Sequence, residues 1–140
     1  MASFVTEVLL IEDDKLDVEA FKRAAKKSGA SEKFSIAWVS NGEEAIEYLN
    51  ECDRPKIILV DLNMPRMNGF EFISWIRSQP HLRDSVIFVL TSSDSPRDLK
   101  QAYSYNIAGY LVKGDYGTHL TEIVRMLDRF IQTVEFPGAG

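Results

Sequence analysis

The stretch IILVDLNMP, residues 57–65, places four consecutive apolar residues directly before a carboxylate, Asp61, and ends in proline. An uninterrupted apolar run of this length is typical of a strand that is covered on both faces of a parallel sheet. A second stretch of the same design, VLLIEDDKLD at 8–17, leads into three consecutive acids, Glu12, Asp13 and Asp14. Two such endings predict that strand ends converge on one charged site.

Length and composition predict a single cytoplasmic domain. We expect one domain over residues 1–140, with a core at about 7–134 and a flexible C-terminal tail at 135–140. The single cysteine, Cys52, excludes an internal disulfide and fits a reducing compartment. A net charge of −5 without a cluster of lysine and arginine argues against nucleic-acid binding. The chain has no apolar segment of membrane length and no signal peptide, so we expect no membrane partner.

The apolar pattern changes its period repeatedly along the chain. Continuous runs at 8–11, Ile57–Val60 and 86–90 predict buried strands, and two weaker strands are predicted at Phe34–Val39 and Gly109–Val112. Each strand is followed by a segment with apolar residues at helical spacing. The result is an alternation of strands and helices over the whole chain.

The helical segments carry start signals and apolar stripes. Asn41 precedes one helix as a cap, and Ser95 stands before a proline at the first position of another. The stripe of this second helix consists of Leu99, Ala102 and Tyr103. The strongest stripe belongs to the last helix, at Leu120, Ile123, Val124, Leu127, Ile131 and Val134.

This alternation predicts an α/β fold with a parallel sheet and helices on both faces. For five strands the common arrangement is the flavodoxin-like, doubly wound (βα)5 sandwich with strand order 2-1-3-4-5. Strands 1 and 3 are then neighbours, and ligands bind beyond the carboxyl ends of the strands at that point. Glu12, Asp13 and Asp61 all fall there.

Carboxylates that lie close together in a partly buried site repel one another, so we expect positive charge nearby. Mg²⁺ prefers one or two carboxylates together with waters and a phosphate oxygen. Lys113 follows strand 5 and Thr91 ends strand 4, at the same edge of the sheet. Acids, a hydroxyl and an ammonium at one edge suit a phosphoryl group.

Each of these residues also has a plainer interpretation. An acid after a strand is commonly a turn residue or a helix cap, and Lys113 alone is an ordinary surface lysine. Thr91 followed by Ser92, Ser93 and Asp94 is compatible with a simple loop. What favours a site is that acid, acid, hydroxyl and lysine follow strands 1, 3, 4 and 5 in turn.

At these residues the chain resembles a response-regulator receiver domain of two-component signalling. The resemblance covers residues 7–134, and its segments LLIEDD, VDLNMPRMNG, VLTSS and GYLVK come in the order found in that family. It implies a stand-alone regulator that accepts a phosphoryl group from a phosphohistidine of a sensor histidine kinase. It also implies no enzyme activity beyond the domain's own phosphorylation and slow dephosphorylation.

The resemblance further implies a role for each residue at the sheet edge. Asp61 is the implied phosphoacceptor and, with Asp13 and the backbone carbonyl of Asn63, a Mg²⁺ ligand, while Glu12 acts through water. Thr91 and Lys113 are implied to contact the phosphoryl group. Tyr110 matches the aromatic switch of the helix 4–strand 5–helix 5 face. The positions of Asn63 and Ser93 tune the lifetime of the acyl phosphate.

The chain departs from the common receiver pattern in two ways. Lys113 is followed by Gly114, where many receivers have proline, and the sequence extends only a few residues past the last helix. These features resemble single-domain receivers that partner phytochrome-type kinases and form homodimers through the C-terminal face. The residues available for such a face are Phe130, Ile131, Val134 and Phe136. We expect Ile131 and Val134 to pack on the sheet and Phe136 to reach a partner.

Three other functions use the same fold. An Mg²⁺-dependent aspartyl phosphohydrolase carries a second aspartate two residues after its nucleophile, and this chain has Asn63, which cannot transfer a proton. A flavodoxin-like binding module is disfavoured by the acidic first loop, which repels a flavin phosphate. An interaction module that acts without phosphorylation stays open. His81 and His119 are expected to be surface residues.

Overall fold

Five parallel strands form one sheet in the order β2-β1-β3-β4-β5. The structure is a computed structural model, and it describes residues 6–30, 34–52 and 56–137. The strands are β1 (Thr6–Ile11), β2 (Phe34–Val39), β3 (Ile57–Val60), β4 (Val86–Thr91) and β5 (Gly109–Val112). The helices are α1 (Lys15–Lys27), α2 (Gly42–Asn50), α3 (Gly69–Arg77), α4 (Pro96–Tyr103) and α5 (Leu120–Thr133). The predicted α/β architecture and strand order are confirmed.

The sheet separates two apolar layers. Phe21 of α1 and Leu127 of α5 belong to the cluster on one face. Leu49 of α2, Phe72 of α3 and Ala102 of α4 belong to the cluster on the other. Because both faces are covered, the strands need no polar alternation, and all four residues of β3 are buried.

The strand register aligns the carboxyl ends that carry the predicted site. Ile11 pairs with Val60 at the ends of β1 and β3, and Thr91 pairs with Val112 at the ends of β4 and β5. The residues after these positions therefore leave the sheet at one level. The predicted caps are also present, since the side chain of Asn41 accepts from Glu44 N and that of Ser95 from Asp98 N.

Two predicted apolar stripes are only partly buried. In α4 Ala102 is buried, but Leu99 is 41% and Tyr103 49% exposed. This helix has only two turns and lies near the edge strand β5, so it contacts the core through its smallest residue. In α5 Ile131 packs on the core as expected. Val134 does not: it is 42% exposed, because the helix ends at Thr133 and Val134 turns to extended backbone.

The C-terminal segment folds back on the helix that precedes it. The ring of Phe136 is half-buried and stacks on Phe130 with centroids 6.2 Å apart. Residues 138–140 of the predicted flexible tail lie outside the described residues. None of the helices in the described ranges combines the length and apolarity that crossing a bilayer requires.

The turn after β3 depends on a close backbone approach at Gly69. Its N–H donates to the carbonyl of Leu62 at 3.0 Å. A Cβ at this position would lie 2.5 Å from the carbonyl oxygen of Asp61 and 2.8 Å from the Cα of Leu62. Both obstacles are backbone atoms, so a side chain here displaces the segment that carries Asp61.

We therefore expect Gly69→Ala to lower the free energy of unfolding by about 1–3 kcal/mol, as overpacking does elsewhere. Urea denaturation followed by circular dichroism measures this. Ser74→Ala, at an exposed position of the same helix, is the control and should change stability by less than about 0.5 kcal/mol. Equal effects of the two substitutions would contradict the close-approach argument.

Candidate functional site

Three acids meet at the carboxyl ends of β1 and β3. Glu12, Asp13 and Asp61 each offer a carboxylate oxygen, and these oxygens lie within 4.8 Å of one another. Glu12 and Asp61 are buried, whereas Asp13 is exposed. Backbone hydrogen bonds hold the two buried acids in place, because Glu12 N donates to Val39 O and Asp61 N to Ile11 O, both at 3.1 Å. The predicted convergence of strand ends is thus present.

The carboxylate of Asp61 is held at both of its oxygens. Oδ1 accepts a hydrogen bond from the backbone N–H of Asn63 at 3.1 Å, and Oδ2 lies 3.4 Å from Nζ of Lys113. The Asn63 side chain is exposed. Two contacts therefore fix the orientation of the Asp61 carboxylate directly after β3.

Lys113 reaches back from the end of β5 into the acid cluster. Its side chain is only 6% exposed, and its ammonium pairs with Glu12, with Asp17 Oδ2 at 2.8 Å and with Asp61 Oδ2 at 3.4 Å. Burial lowers the pKa of Lys113, but hydrogen bonds to Asp17 and Glu12 and the charge of Asp61 outweigh burial and hold that pKa above its ordinary value. This lysine is not an ordinary surface residue.

The cluster carries more negative than positive charge. Burial, reinforced by the charge of Asp61, raises the pKa of Glu12 to about 8 despite the hydrogen bond from Lys113. Three carboxylates, those of Glu12, Asp17 and Asp61, pair with the one ammonium, and a fourth, that of Asp13, lies beside Glu12 and Asp61. A close set of oxygen ligands with surplus negative charge suits a hard divalent cation.

The loop after β4 is tied together by short polar contacts. Thr91 is fully buried at the strand end, and its Oγ1 accepts from Ser93 N at 3.3 Å. Ser93 Oγ donates to Asp98 Oδ2 at 2.7 Å, and the hydroxyl of Tyr110 donates to Ser93 O at 2.9 Å. The half-buried Tyr110 is thus connected to Thr91 through Ser93, because its hydroxyl is hydrogen-bonded within the protein.

The segment after Lys113 has glycine at the position where many receivers have proline, and its backbone takes a conformation that suits glycine. The peptide bonds of the described residues are all trans, and Gly114 has a φ of 76°, a left-handed conformation that glycine tolerates. Lys113 N donates to Thr91 O at 2.9 Å, so the lysine continues the pairing between β4 and β5. His119 is exposed with Nδ1 3.1 Å from Val112 O, and His81 is exposed as well, as expected.

Two participants were missed at the level of sequence. Asp17 pairs with Lys113, and Asp98 holds Ser93. Both lie in the first turn of a helix, where an acid is expected for helix electrostatics alone. Only the folded arrangement distinguishes them from ordinary first-turn acids.

A model of the response regulator receiver domain matches residues 8–125. The chain belongs to this family. It is 30% identical over 139 residues to the response regulator Rcp1 of Synechocystis sp., covering 94% of this chain and 93% of that protein. This receiver therefore shares nearly its whole length with a response regulator.

Solved structures of response regulators have the same fold, and one of them contains a divalent metal. The phosphorylated cyanobacterial phytochrome response regulator RcpA superposes with a TM-score of 0.84 at 27% identity, over 97% of this chain and all of that one. The Mn²⁺-bound form of Rcp1 superposes with a TM-score of 0.77 at 27% identity, over 95% and 99% of the two chains. Divalent metal binding by this receiver is consistent with its own acid cluster.

Proposed function

We propose that this receiver accepts a phosphoryl group from a phosphohistidine of a sensor histidine kinase onto Asp61 in a Mg²⁺-dependent reaction. One observation carries the proposal: a buried carboxylate with both oxygens held lies inside an acid cluster, 3.4 Å from a buried ammonium. A carboxylate is a nucleophile able to form an acyl phosphate. Glu12 is also buried and held by a backbone N–H and by Lys113, so the choice of Asp61 is supported by its place after β3, where the receiver resemblance implies the phosphoacceptor.

The metal ligands proposed are Asp13, Asp61 and the backbone carbonyl of Asn63, with Glu12 acting through water. Bound there, Mg²⁺ would neutralise charge on the phosphoryl oxygens during transfer. Asp13 is exposed, which leaves its carboxylate accessible to an ion, whereas the carboxylate of Glu12 is engaged by Lys113 more closely than that of Asp61.

The transfer itself is carried by the protein's side chains. A carboxylate oxygen of Asp61 forms a bond to phosphorus while the phosphorus–nitrogen bond of the phosphohistidine breaks, and the leaving imidazole nitrogen keeps that electron pair. Lys113 offsets the added negative charge, and the Thr91 hydroxyl donates to a phosphoryl oxygen. We propose that Asn63 and Ser93 tune the lifetime of the phosphorylated product. The backbone N–H of Asn63 donates to Asp61, and that of Ser93 donates to the hydroxyl oxygen of Thr91.

The same event is proposed to switch the surface formed by α4, β5 and α5. When the Thr91 hydroxyl moves to the phosphoryl group, the loop after β4 moves with it. This loop contains Ser93, whose carbonyl oxygen accepts the hydrogen bond from the Tyr110 hydroxyl. Tyr110 and the half-exposed Leu99 and Tyr103 would then present a different surface to a partner. A change in charge at Asp61 thereby alters the surface that α4, β5 and α5 present to a partner.

The partners proposed are a kinase of the phytochrome type and a second copy of the chain. RcpA is by name a phytochrome response regulator, and the similarity to it extends over nearly the whole chain. For a homodimer, the exposed Val134 beside the stacked rings of Phe130 and Phe136 offers apolar surface at the C-terminal face. We propose the cytoplasm as the compartment, where such kinases present their phosphohistidine.

The test is intact-mass analysis after incubation with Mg²⁺ and a small-molecule phosphodonor such as acetyl phosphate. We expect one phosphoryl adduct, absent when EDTA replaces Mg²⁺. No adduct with any donor would contradict the proposal and favour a receiver fold that works by contact alone. Sustained release of phosphate over many turnovers would instead favour a phosphohydrolase, for which Asn63 lacks the second acid.

A further inference from the structure

Lys113 is held mainly by residues other than the phosphoacceptor. Its ammonium makes its two closer contacts with Glu12 and with Asp17 Oδ2, the latter at 2.8 Å, and its longest contact, 3.4 Å, with Asp61 Oδ2. An ammonium has three protons to donate, so this arrangement occupies it fully. The ammonium therefore lies nearer to Glu12, after β1, and to Asp17, in α1, than to Asp61.

The orientation of Asp17 is not explained by helix capping. Asp17 is the third residue of α1, after the N-cap Asp14. At the corresponding position of α3, Glu71 closes a capping box by accepting from the backbone N–H of Asn68 at 3.1 Å. In α1 the N–H of Asp14 donates to Glu12 Oε2 at 3.2 Å, and Asp17 is directed to Lys113 instead.

We propose that Asp17 is a positioning residue for the phosphoryl-transfer site, which holds the Lys113 ammonium on the α1 side of the acid cluster. This inference rests on the proposed function and extends it. An ammonium closely paired with Asp61 would compete with Mg²⁺ for that carboxylate and weaken it as a nucleophile. Asp17 keeps the contact between Lys113 and Asp61 the longest of the three and leaves Asp61 more accessible to the metal and the phosphodonor.

The geometry gives Asp17 a second consequence after transfer. Asp17 is 36% exposed at its side chain, whereas Glu12 and Asp61 are nearly enclosed, so its hold on the ammonium is the one most weakened by solvent. Lys113 can therefore leave Asp17 for a phosphoryl group more readily than it can leave Glu12. Asp17 restrains Lys113 in the resting state without trapping it.

The experiment compares Asp17→Asn with Glu19→Gln, which removes the same charge from an exposed position of the same helix. Mg²⁺ is titrated alone, with tryptophan fluorescence as the signal, because the indole of Trp38 donates to Glu12 O at 2.8 Å. We expect Asp17→Asn to raise the Mg²⁺ dissociation constant about three- to tenfold, the size of a coupling between contacting residues. Glu19→Gln should change it less than about twofold.

A double-mutant cycle with Lys113→Gln tests whether Asp17 acts through the lysine. We expect Asp17→Asn to have less than about a twofold effect in the Lys113→Gln background. If Asp17→Asn weakened Mg²⁺ binding equally in both backgrounds, Asp17 would act only through its negative charge and not through Lys113. That result would overturn the proposal. In labelling assays the Mg²⁺ requirement should rise by the same factor as the dissociation constant, while the rate at saturating Mg²⁺ is retained.

A second measurement covers the case in which Lys113→Gln does not fold. In metal-free wild type, the ¹⁵N and ¹H resonances of the Lys113 ammonium should be visible, because a buried ammonium with three acceptors exchanges slowly with water. Asp17→Asn should shift them and speed exchange, and Glu19→Gln should leave them unchanged. Unchanged resonances in Asp17→Asn, or no visible resonance in the wild type, would overturn the positioning role.

These outcomes are separable from the fate of the proposed function. A wild type that takes up no phosphoryl group but shows the Asp17-dependent Lys113 response would contradict phosphoacceptance alone. A wild type that is phosphorylated while Asp17→Asn behaves like Glu19→Gln would contradict the positioning role alone.

Discussion

Asp61→Asn is expected to abolish uptake of the phosphoryl group while making the metal-free protein more stable. The amide cannot form an acyl phosphate, so no adduct should appear in intact-mass spectra at any Mg²⁺ concentration. The amide oxygen can still accept from Asn63 N, which preserves the turn. Because one of four carboxylates around a single ammonium is removed, we expect the free energy of unfolding to rise by about 1 kcal/mol.

Denaturation in EDTA measures the second effect, and Asp84→Asn is its control. Asp84 is exposed before β4, at the opposite edge of the sheet, so its replacement changes the net charge equally without touching the cluster. A comparable gain from Asp84→Asn would attribute the stabilisation to overall charge. A residual adduct on Asp61→Asn would move the phosphoacceptor to another residue.

Lys113→Ala is expected to act in the opposite direction and to lower the free energy of unfolding of the metal-free protein by about 3–5 kcal/mol. Removal of one partner from a buried ion pair leaves uncompensated charge, here on Asp61 and, where the pH exceeds the pKa of Glu12, on Glu12 as well. Mg²⁺ should restore much of the loss, since a divalent cation can replace the missing positive charge. The variant should still take up some phosphoryl group but fail to alter the α4–β5–α5 surface.

The decrease in the free energy of unfolding caused by Lys113→Ala should also depend on pH. Burial raises the pKa of Glu12 from its ordinary value of 4.5 to about 8, and removal of Lys113 takes away a group that opposes this rise. A carboxyl that binds its proton more tightly when folded costs stability at high pH, and the cost shrinks as pH falls from about 8 toward 4.5. The deficit of Lys113→Ala should therefore be larger above pH 8 than near neutrality.

Lys100→Ala is the control, because Lys100 is exposed on α4. It should be within about 0.5 kcal/mol of wild type and insensitive to Mg²⁺. A Lys113→Ala variant as stable as Lys100→Ala would show that the acid cluster needs no internal cation. An equal deficit with and without Mg²⁺ would contradict the charge-balance argument.

The sequence predicts the sheet and the meeting of Glu12, Asp61 and Lys113 because these features depend on local rules. Buried parallel strands are read from continuous apolar runs, and their order follows from the alternation with helices. Once Ile11 and Val60 are in register, the residues after them must be adjacent. The site is therefore determined by strand ends, which sequence locates well.

What could not be predicted depends on side-chain direction and on helix position. Asp17 and Asp98 have the same sequence context as any first-turn acid, and only tertiary structure aims them at Lys113 and Ser93. Leu99 was expected in the core because helical spacing shows which residues share a face, but not how closely that face approaches the sheet. Val134 was misplaced because its helix ends one residue earlier.

Mapping the residue that carries the phosphoryl group decides whether Asp61 is the phosphoacceptor. Phosphorylated protein is treated with borohydride, which reduces an acyl phosphate to the alcohol and so converts the modified aspartate to homoserine, and the product is digested and mapped by mass spectrometry. We expect homoserine at position 61 and nowhere else. Reduction at Asp13 or Glu12 instead, or no reducible adduct in a protein that carries phosphate, would contradict this assignment.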